Sequence, residues 1–387
     1  MIYISTVSKN IDKKKAYYYI TLPFLAFFAI FNFILFPNVG MLHMSSETMT
    51  NYQALYTMIP AQLIVIFGNW TYSLFYIIAE CSGNTLITFL FWKFANDALA
   101  RETAKKYYPI FGAFSNAGLI TAGLIQINFG ETVSSVCNLV IIALIIKTII
   151  YFYINKSIIT EWNVDKIKIN KKETKKLGFV EGIKYVASSS YLYYLGSTVL
   201  CYGVAISLCE QTWKGMVKRW CIANTKDVSE FFGYFFIITG ISTFFVGFFL
   251  KNVAKKYSWR TASLITPIVL VSTASAFYFF VLTNQGYMGA VYTGCISSIT
   301  LVIIGGIQNI AGKSTKYSLF DPTSQLAYQP LSNEEKTTGK AAIDVVFGRL
   351  GKAAGGAIQV AFVTILQPIY GRTIAQADMV PYLLVII

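Results

Sequence analysis

Residues 339–359 read Gly-Lys-Ala-Ala-Ile-Asp-Val-Val-Phe-Gly-Arg-Leu-Gly-Lys-Ala-Ala-Gly-Gly-Ala-Ile-Gln. Three cations (Lys340, Arg349, Lys352) and one anion (Asp344) stand among small side chains, and an apolar run of membrane length follows Lys352 directly. Small residues let backbones and ligands approach closely. A cation at the mouth of a membrane helix is costly unless it meets water, a partner or an anion. The stretch therefore reads as a helix start built to meet something negatively charged. The alternative is that these cations are cytoplasmic residues that only set topology.

Two carboxylates fall in or beside apolar runs. Glu80 is the sole charge within Trp70–Trp92. A carboxylate at the bilayer centre costs roughly 3 kcal/mol or more, so it is expected to face an aqueous cavity and bind something. Tyr76, Gly83, Asn84 and Thr88 recur at helical spacing from it and give that helix one polar face. The competing reading is a protonated Glu80 hydrogen-bonded inside the bundle. Glu210 is expected at the outer end of Tyr191–Cys209, where Trp213 and Lys214 beside it suggest a gate or a site. Lys147 is read as a residue near a helix end whose head reaches to the membrane surface.

The elements that must carry these residues follow from composition. The chain has 387 residues, 55% hydrophobic and 13% charged, against about 25% charged in soluble domains. Mean hydropathy is +0.55. Nine runs approach the length of about 20 residues needed to cross a bilayer: 16–36, 70–92, 109–129, 133–154, 191–209, 231–250, 262–282, 289–310 and 353–370. A tenth begins at Pro381 and stops at Ile387. With nine alternating spans, five lysine and arginine clusters fall on one side, the cytoplasmic one by the positive-inside rule. Residues 155–190 are expected to form a basic cytoplasmic loop between a bundle at 1–154 and a bundle at 191–387. Residues 210–226, expected outside, break the rule with Lys214, Lys218, Arg219 and Lys226. The net charge of +14 suits anionic lipid or an anionic solute.

Enzyme signatures are missing. The single histidine, His43, argues against histidine catalysis, and the six cysteines contain no CxxC pair. The run Gly348–Ala353 lacks the spacer and the Ser or Thr of a P-loop. No cofactor, metal or nucleic-acid partner is expected.

Several long stretches resemble one known family. They are NWTYSLFYIIAE with FLFWKFAN (69–96), ETAKKYYPIFGAFSNAGLITAG (102–123), CYGVAISLCEQTWK (201–214), IQNIAGKSTKYSLFDPTSQLAYQPL (307–331) and GKAAIDVVFGRLGKAAGGAIQ (339–359). They look like the nucleotide transporter family, the ATP/ADP translocases of obligate intracellular bacteria and plastids. The resemblance implies an all-α polytopic membrane protein, a major-facilitator-like transporter of two bundles with twelve helices. The nine spans here would be the third to eleventh, with two helices missing in front and the last cut short. It implies exchange of external ATP for internal ADP across a bacterial inner membrane, with the nucleotides and the lipid bilayer as partners. The family's essential acids match Glu80 and Glu210, and an essential lysine matches Lys352. Arg349, Asn84 and Lys214 join them as expected substrate-binding residues, and Gln308 and Asn309 would end the tenth helix. Cys81 and Ser82 depart from the Leu and Trp of many members. Two other readings stay open: a non-transporting or altered-specificity fragment of such a carrier, and a polytopic membrane enzyme.

Overall fold

A computed structural model of the chain describes residues 13–56, 59, 61–91, 94–95, 101–158, 184, 186–250, 259–284, 297–327, 343 and 347–370. Every regular element among them is helical. In order they are α1 (Lys13–Ile30, continued by a π-helical turn Phe31–Leu35), α2 (Val39–Leu42), α3 (Ser46–Leu55) and α4 (Ala61–Gly68). Then come α5 (Trp70–Gly83, continued as a π-helix Asn84–Phe91), α6 (Arg101–Phe129) and α7 (Val133–Tyr153, with a π-turn Ile154–Ile158). After them stand α8 (Ser190–Ala223), α9 (Val228–Leu250), α10 (Trp259–Asn284), α11 (Ser298–Thr315, with a π-turn Lys316–Phe320), α12 (Asp321–Ala327) and α13 (Gly348–Tyr370). Five helical stretches are long and apolar enough to cross a membrane: Tyr17–Leu35, Val133–Lys156, Ser190–Ala223, Val228–Phe249 and Arg260–Asn284. The protein is a polytopic helical membrane protein. The other four expected spans also fall on helices, namely α5 with its π-helix, α6, α11 and α13. Most of the basic loop and the run after Pro381 lie outside the described residues.

The chain divides into two compact units. The first holds Met1–Gly112 and Asn128–Ile169, and the second holds Ala113–Ile127 and Asn170–Ile387. The central stretch of α6 thus packs with the second unit, although the sequence division places it in the first bundle. Two glycines show how. A Cβ on Gly123 would stand 2.5 Å from the carbonyl oxygen of Gly233, and one on Gly233 would stand 2.8 Å from that of Gly123. Only glycine permits such an approach of two helices.

In the first unit α1 lies along α7. Tyr17 and Ile20 of α1, Leu86 and Leu90 of the π-helix and Tyr151 of α7 form one buried cluster. The Tyr17 and Tyr151 rings stack at 3.6 Å. Phe28, Phe31 and Cys137 form a second cluster, beside which the Asn32 amide donates to Asn138 Oδ1 at 2.8 Å. Lipid chains are as apolar as these side chains, so close packing and such polar pairs hold the helices together more than water exclusion does.

The sequence reading ends the fifth span near Cys209. The structure instead runs α8 without a break for 34 residues, about 51 Å at 1.5 Å per residue, well beyond a hydrocarbon core of about 30 Å. The reason is a second amphipathic pattern. Cys209, Trp213, Val217 and Cys221, each four apart, are fully buried. Lys214, Lys218 and Arg219 fall on the exposed side of the same helix. Three of the four cations that broke the positive-inside pattern, Lys214, Lys218 and Arg219, stand on this helix, and Lys226 lies in the short connection to α9. The helix stops at Ala223, where Thr225 takes a left-handed φ of 52°.

Candidate functional site

The site in the second unit begins with a seam between α8 and α13. Gly196, Gly203 and Glu210 are seven apart, two helical turns each, so they share one face of α8. On α13, Gly351 and Gly355 face this seam. A Cβ on Gly351 would lie 2.5 Å from Leu200 O and 3.1 Å from Gly203 Cα, and one on Gly355 would lie 2.8 Å from Ser207 Cβ. The two backbones therefore touch, and the Ser207 hydroxyl donates to the carbonyl of Lys352 at 3.3 Å. This contact fixes the start of α13, with Lys352, against α8 at Gly203 and Ser207.

Glu210 Oε1 accepts from two lysines: Lys214 Nζ at 2.9 Å, one turn on along α8, and Lys313 Nζ at 3.3 Å from α11. Glu210 and Lys313 keep 24% and 20% of their side-chain exposure and Lys214 keeps 47%, so the group opens on one side only. Lys214 and Lys352 both lie near enough to Lys313 for like charges to repel. Two lysines thus share a single carboxylate, with Lys352 a third cation near Lys313, and the surplus positive charge suits an anion with several oxygens. Lys313 also sits over the Phe235 ring at 5.1 Å. One turn further, Lys316 pairs with Asp321 at 2.9 Å and covers the Tyr317 ring at 4.6 Å. Tyr202 stacks on Phe320 at 5.1 Å nearby.

Four of the six expected residues, Glu210, Lys214, Arg349 and Lys352, thus belong to the second unit. Glu210 lies in mid-helix and not at a helix end. Arg349 and Lys352 lie within the first turns of α13, which begins at Gly348, before the apolar run itself. Both are exposed, and their spacing of three puts them on one face. Glu80 and Asn84 belong to the first unit. Glu80 is exposed on α5, and Asn84 opens the π-helix after it.

Other expectations need correction. Trp213, beside Glu210 in the sequence, is a packing residue: it is fully buried, donates from Nε1 to Val302 O at 2.8 Å, and packs where a Cβ on Gly305 would collide with its ring at 2.3 Å. Gln308 and Asn309 do not end their helix. They are buried in the middle of α11, and both amide atoms of Gln308 and Oδ1 of Asn309 have no partner among the described residues. Lys147 does not reach for the surface: its Nζ donates to Leu86 O at 3.1 Å.

Sequence reasoning missed Lys313, Lys316 and Asp321, because it ended the span at Ile310 and counted those lysines as loop charges. The signal was present. No proline interrupts the chain between Ser298 and Pro322, and Asn309 and Lys313 are four apart on one helical face.

Helices of membrane length, one of them carrying a carboxylate paired with two lysines, define a polytopic helical membrane protein. The sequence model of the family described as TLC ATP/ADP transporter matches residues 1–387, and the chain belongs to that family. It is similar to ADP,ATP carrier protein 1 of Chlamydia pneumoniae, with 33% identity over 100% of this chain and 77% of the relative. It is also similar to the chloroplastic ADP,ATP carrier protein 1 of Arabidopsis thaliana, at 34% over 93% of this chain and 59% of the relative. ADP,ATP carrier protein 5 of Rickettsia bellii matches at 30% over 95% of this chain and 77% of the relative. No solved structure matches the chain.

Proposed function

We propose that this protein exchanges nucleotides across a bacterial cell membrane, taking external ATP for internal ADP. The observation that carries the reading is Glu210 paired with both Lys214 and Lys313, with Lys352 near Lys313 on a helix whose glycines touch α8. The names of the relatives, ADP,ATP carriers, supply the identity of the polyanion. Phosphate oxygens compete with the Glu210 carboxylate for Lys313 and Lys214, and Lys352 and Arg349 add charge at the exposed start of α13. Glu80 and Asn84 are the proposed contribution of the first unit to substrate binding.

The test is Lys352→Gln in reconstituted vesicles, with labelled nucleotide binding and uptake as readouts. Loss of a charge-assisted hydrogen bond costs about 1.5–3 kcal/mol, about 10- to 150-fold in affinity. The expected loss is largest for ATP, smaller for AMP and absent for adenosine, and Lys352→Arg retains part of the affinity. Equal weakening for all three ligands, or none, contradicts a phosphate contact.

A further inference from the structure

Lys147 is a cation on a membrane-spanning helix, yet no described carboxylate pairs with it. Its Nζ instead donates to the backbone carbonyl of Leu86 at 3.1 Å and lies over the Tyr17 ring at 5.5 Å. Tyr17 stacks on Tyr151, one turn along α7 from Lys147, and Phe94 meets Tyr151 edge to face at 5.4 Å. The lysine stem is thus walled by aromatic rings, and its head is aimed at one oxygen.

That oxygen lies in the π-helix that continues α5. A π-helical stretch widens the turn and leaves the ordinary i→i+4 ladder, so the carbonyls around it need other donors. It also re-phases the helix, changing the rotation of residues before it relative to those after it. Here Leu86 and Leu90, within the π-helix, are buried against α1 and α7, while Glu80, before it, is exposed. The π-helix therefore sets the direction in which Glu80 stands relative to the anchored core.

We infer that Lys147 is a positioning residue, which clamps Leu86 O and thereby holds the π-helix that orients Glu80 for substrate. The functional half of this inference rests on the transport reading above. The clamp itself rests only on the Lys147–Leu86 contact.

The test compares wild type with Lys147→Met and Lys147→Arg in detergent and in vesicles. Methionine keeps the stem and removes the donor. Backbone hydrogen exchange in Lys147→Met is expected to speed up at least tenfold across residues 84–91, with α1 and the rest of α7 unchanged. In the same variant, the maximal rate of ATP/ADP exchange falls at least fivefold while KM for ATP stays within twofold. Lys147→Arg restores most of both. Unchanged protection at 84–91 overturns the clamp. Protection lost evenly over α1, α5 and α7, or KM and Vmax worsening together without rescue by arginine, shows a merely structural role and overturns the positioning. Lost protection with wild-type exchange does the same. A wild-type protein that exchanges no nucleotide contradicts the transport reading, and the protection arm still decides the clamp.

Discussion

Glu210→Gln is expected to lower the maximal rate of nucleotide exchange at least a hundredfold while also lowering KM for ATP. Glu210 is the sole described carboxylate paired with Lys214 and Lys313, and Lys352 adds a like charge to Lys313. Removing its charge leaves Lys214 and Lys313 without this counter-ion, with Lys352 adding to the positive charge near Lys313. A phosphate entering there no longer competes with a resident carboxylate. One unit charge at about 4 Å is worth about 4 kcal/mol at an effective dielectric constant near 20. The half-open position of the group reduces this, so a drop in KM of about tenfold is the expected size. Tighter binding without a group to reclaim the lysines slows release, and the rate falls. Glu210→Asp, one methylene shorter, reaches one lysine and not both, and gives an intermediate rate. A rise in KM at unchanged rate would show that Glu210 contacts substrate favourably and does not compete with it.

Gly351→Val is expected to disable transport by a different route. The Cβ of residue 351 would lie 2.5 Å from a backbone oxygen of α8, and no rotamer change relieves a clash with backbone. The helices must part, which costs about 1–3 kcal/mol by the usual scale of overpacking. They carry Lys352 away from Glu210 as they do so. Exchange should fall at least tenfold and the thermal midpoint in detergent should drop by several degrees, about 2–4 °C per kcal/mol for chains of this size or somewhat smaller. Gly356→Ala is the control. Its Cβ would meet nothing within 4 Å, so the rate should stay at the wild-type value and the midpoint should not fall, rising by up to about 2–4 °C if α13 gains the full ~1 kcal/mol of helix propensity. A normal midpoint and rate in Gly351→Val would refute the close seam.

The membrane class, the helical content and the acids were legible in the sequence because charge and hydropathy act locally. Glu80 and Glu210 stood out as carboxylates in or beside apolar runs, and Lys352 as a cation among glycines. What was not legible depends on where a helix ends and on what packs across from it. The polar half of α8 looked like a loop because its lysines outweighed the four-residue recurrence of Cys209, Trp213, Val217 and Cys221. The packing role of Trp213 was not legible, because a tryptophan near a membrane surface usually belongs to the interfacial belt. Its burial follows from the space left by Gly305, which lies 92 residues away along the chain. Lys313 was hidden by a span that seemed to finish at Ile310. The π-helix after Gly83 leaves no clear mark in residue type, and without it the inward turn of Lys147 had no visible reason.

The central claim is obligate exchange of nucleotides by this chain. Purified protein in vesicles, loaded with ADP or left empty, is offered labelled ATP from outside. The account predicts rapid uptake into ADP-loaded vesicles, little into empty ones, and release of internal ADP in equal amount. ATP uptake that is the same with and without internal ADP, or absent under both conditions for every nucleotide tried, would contradict it.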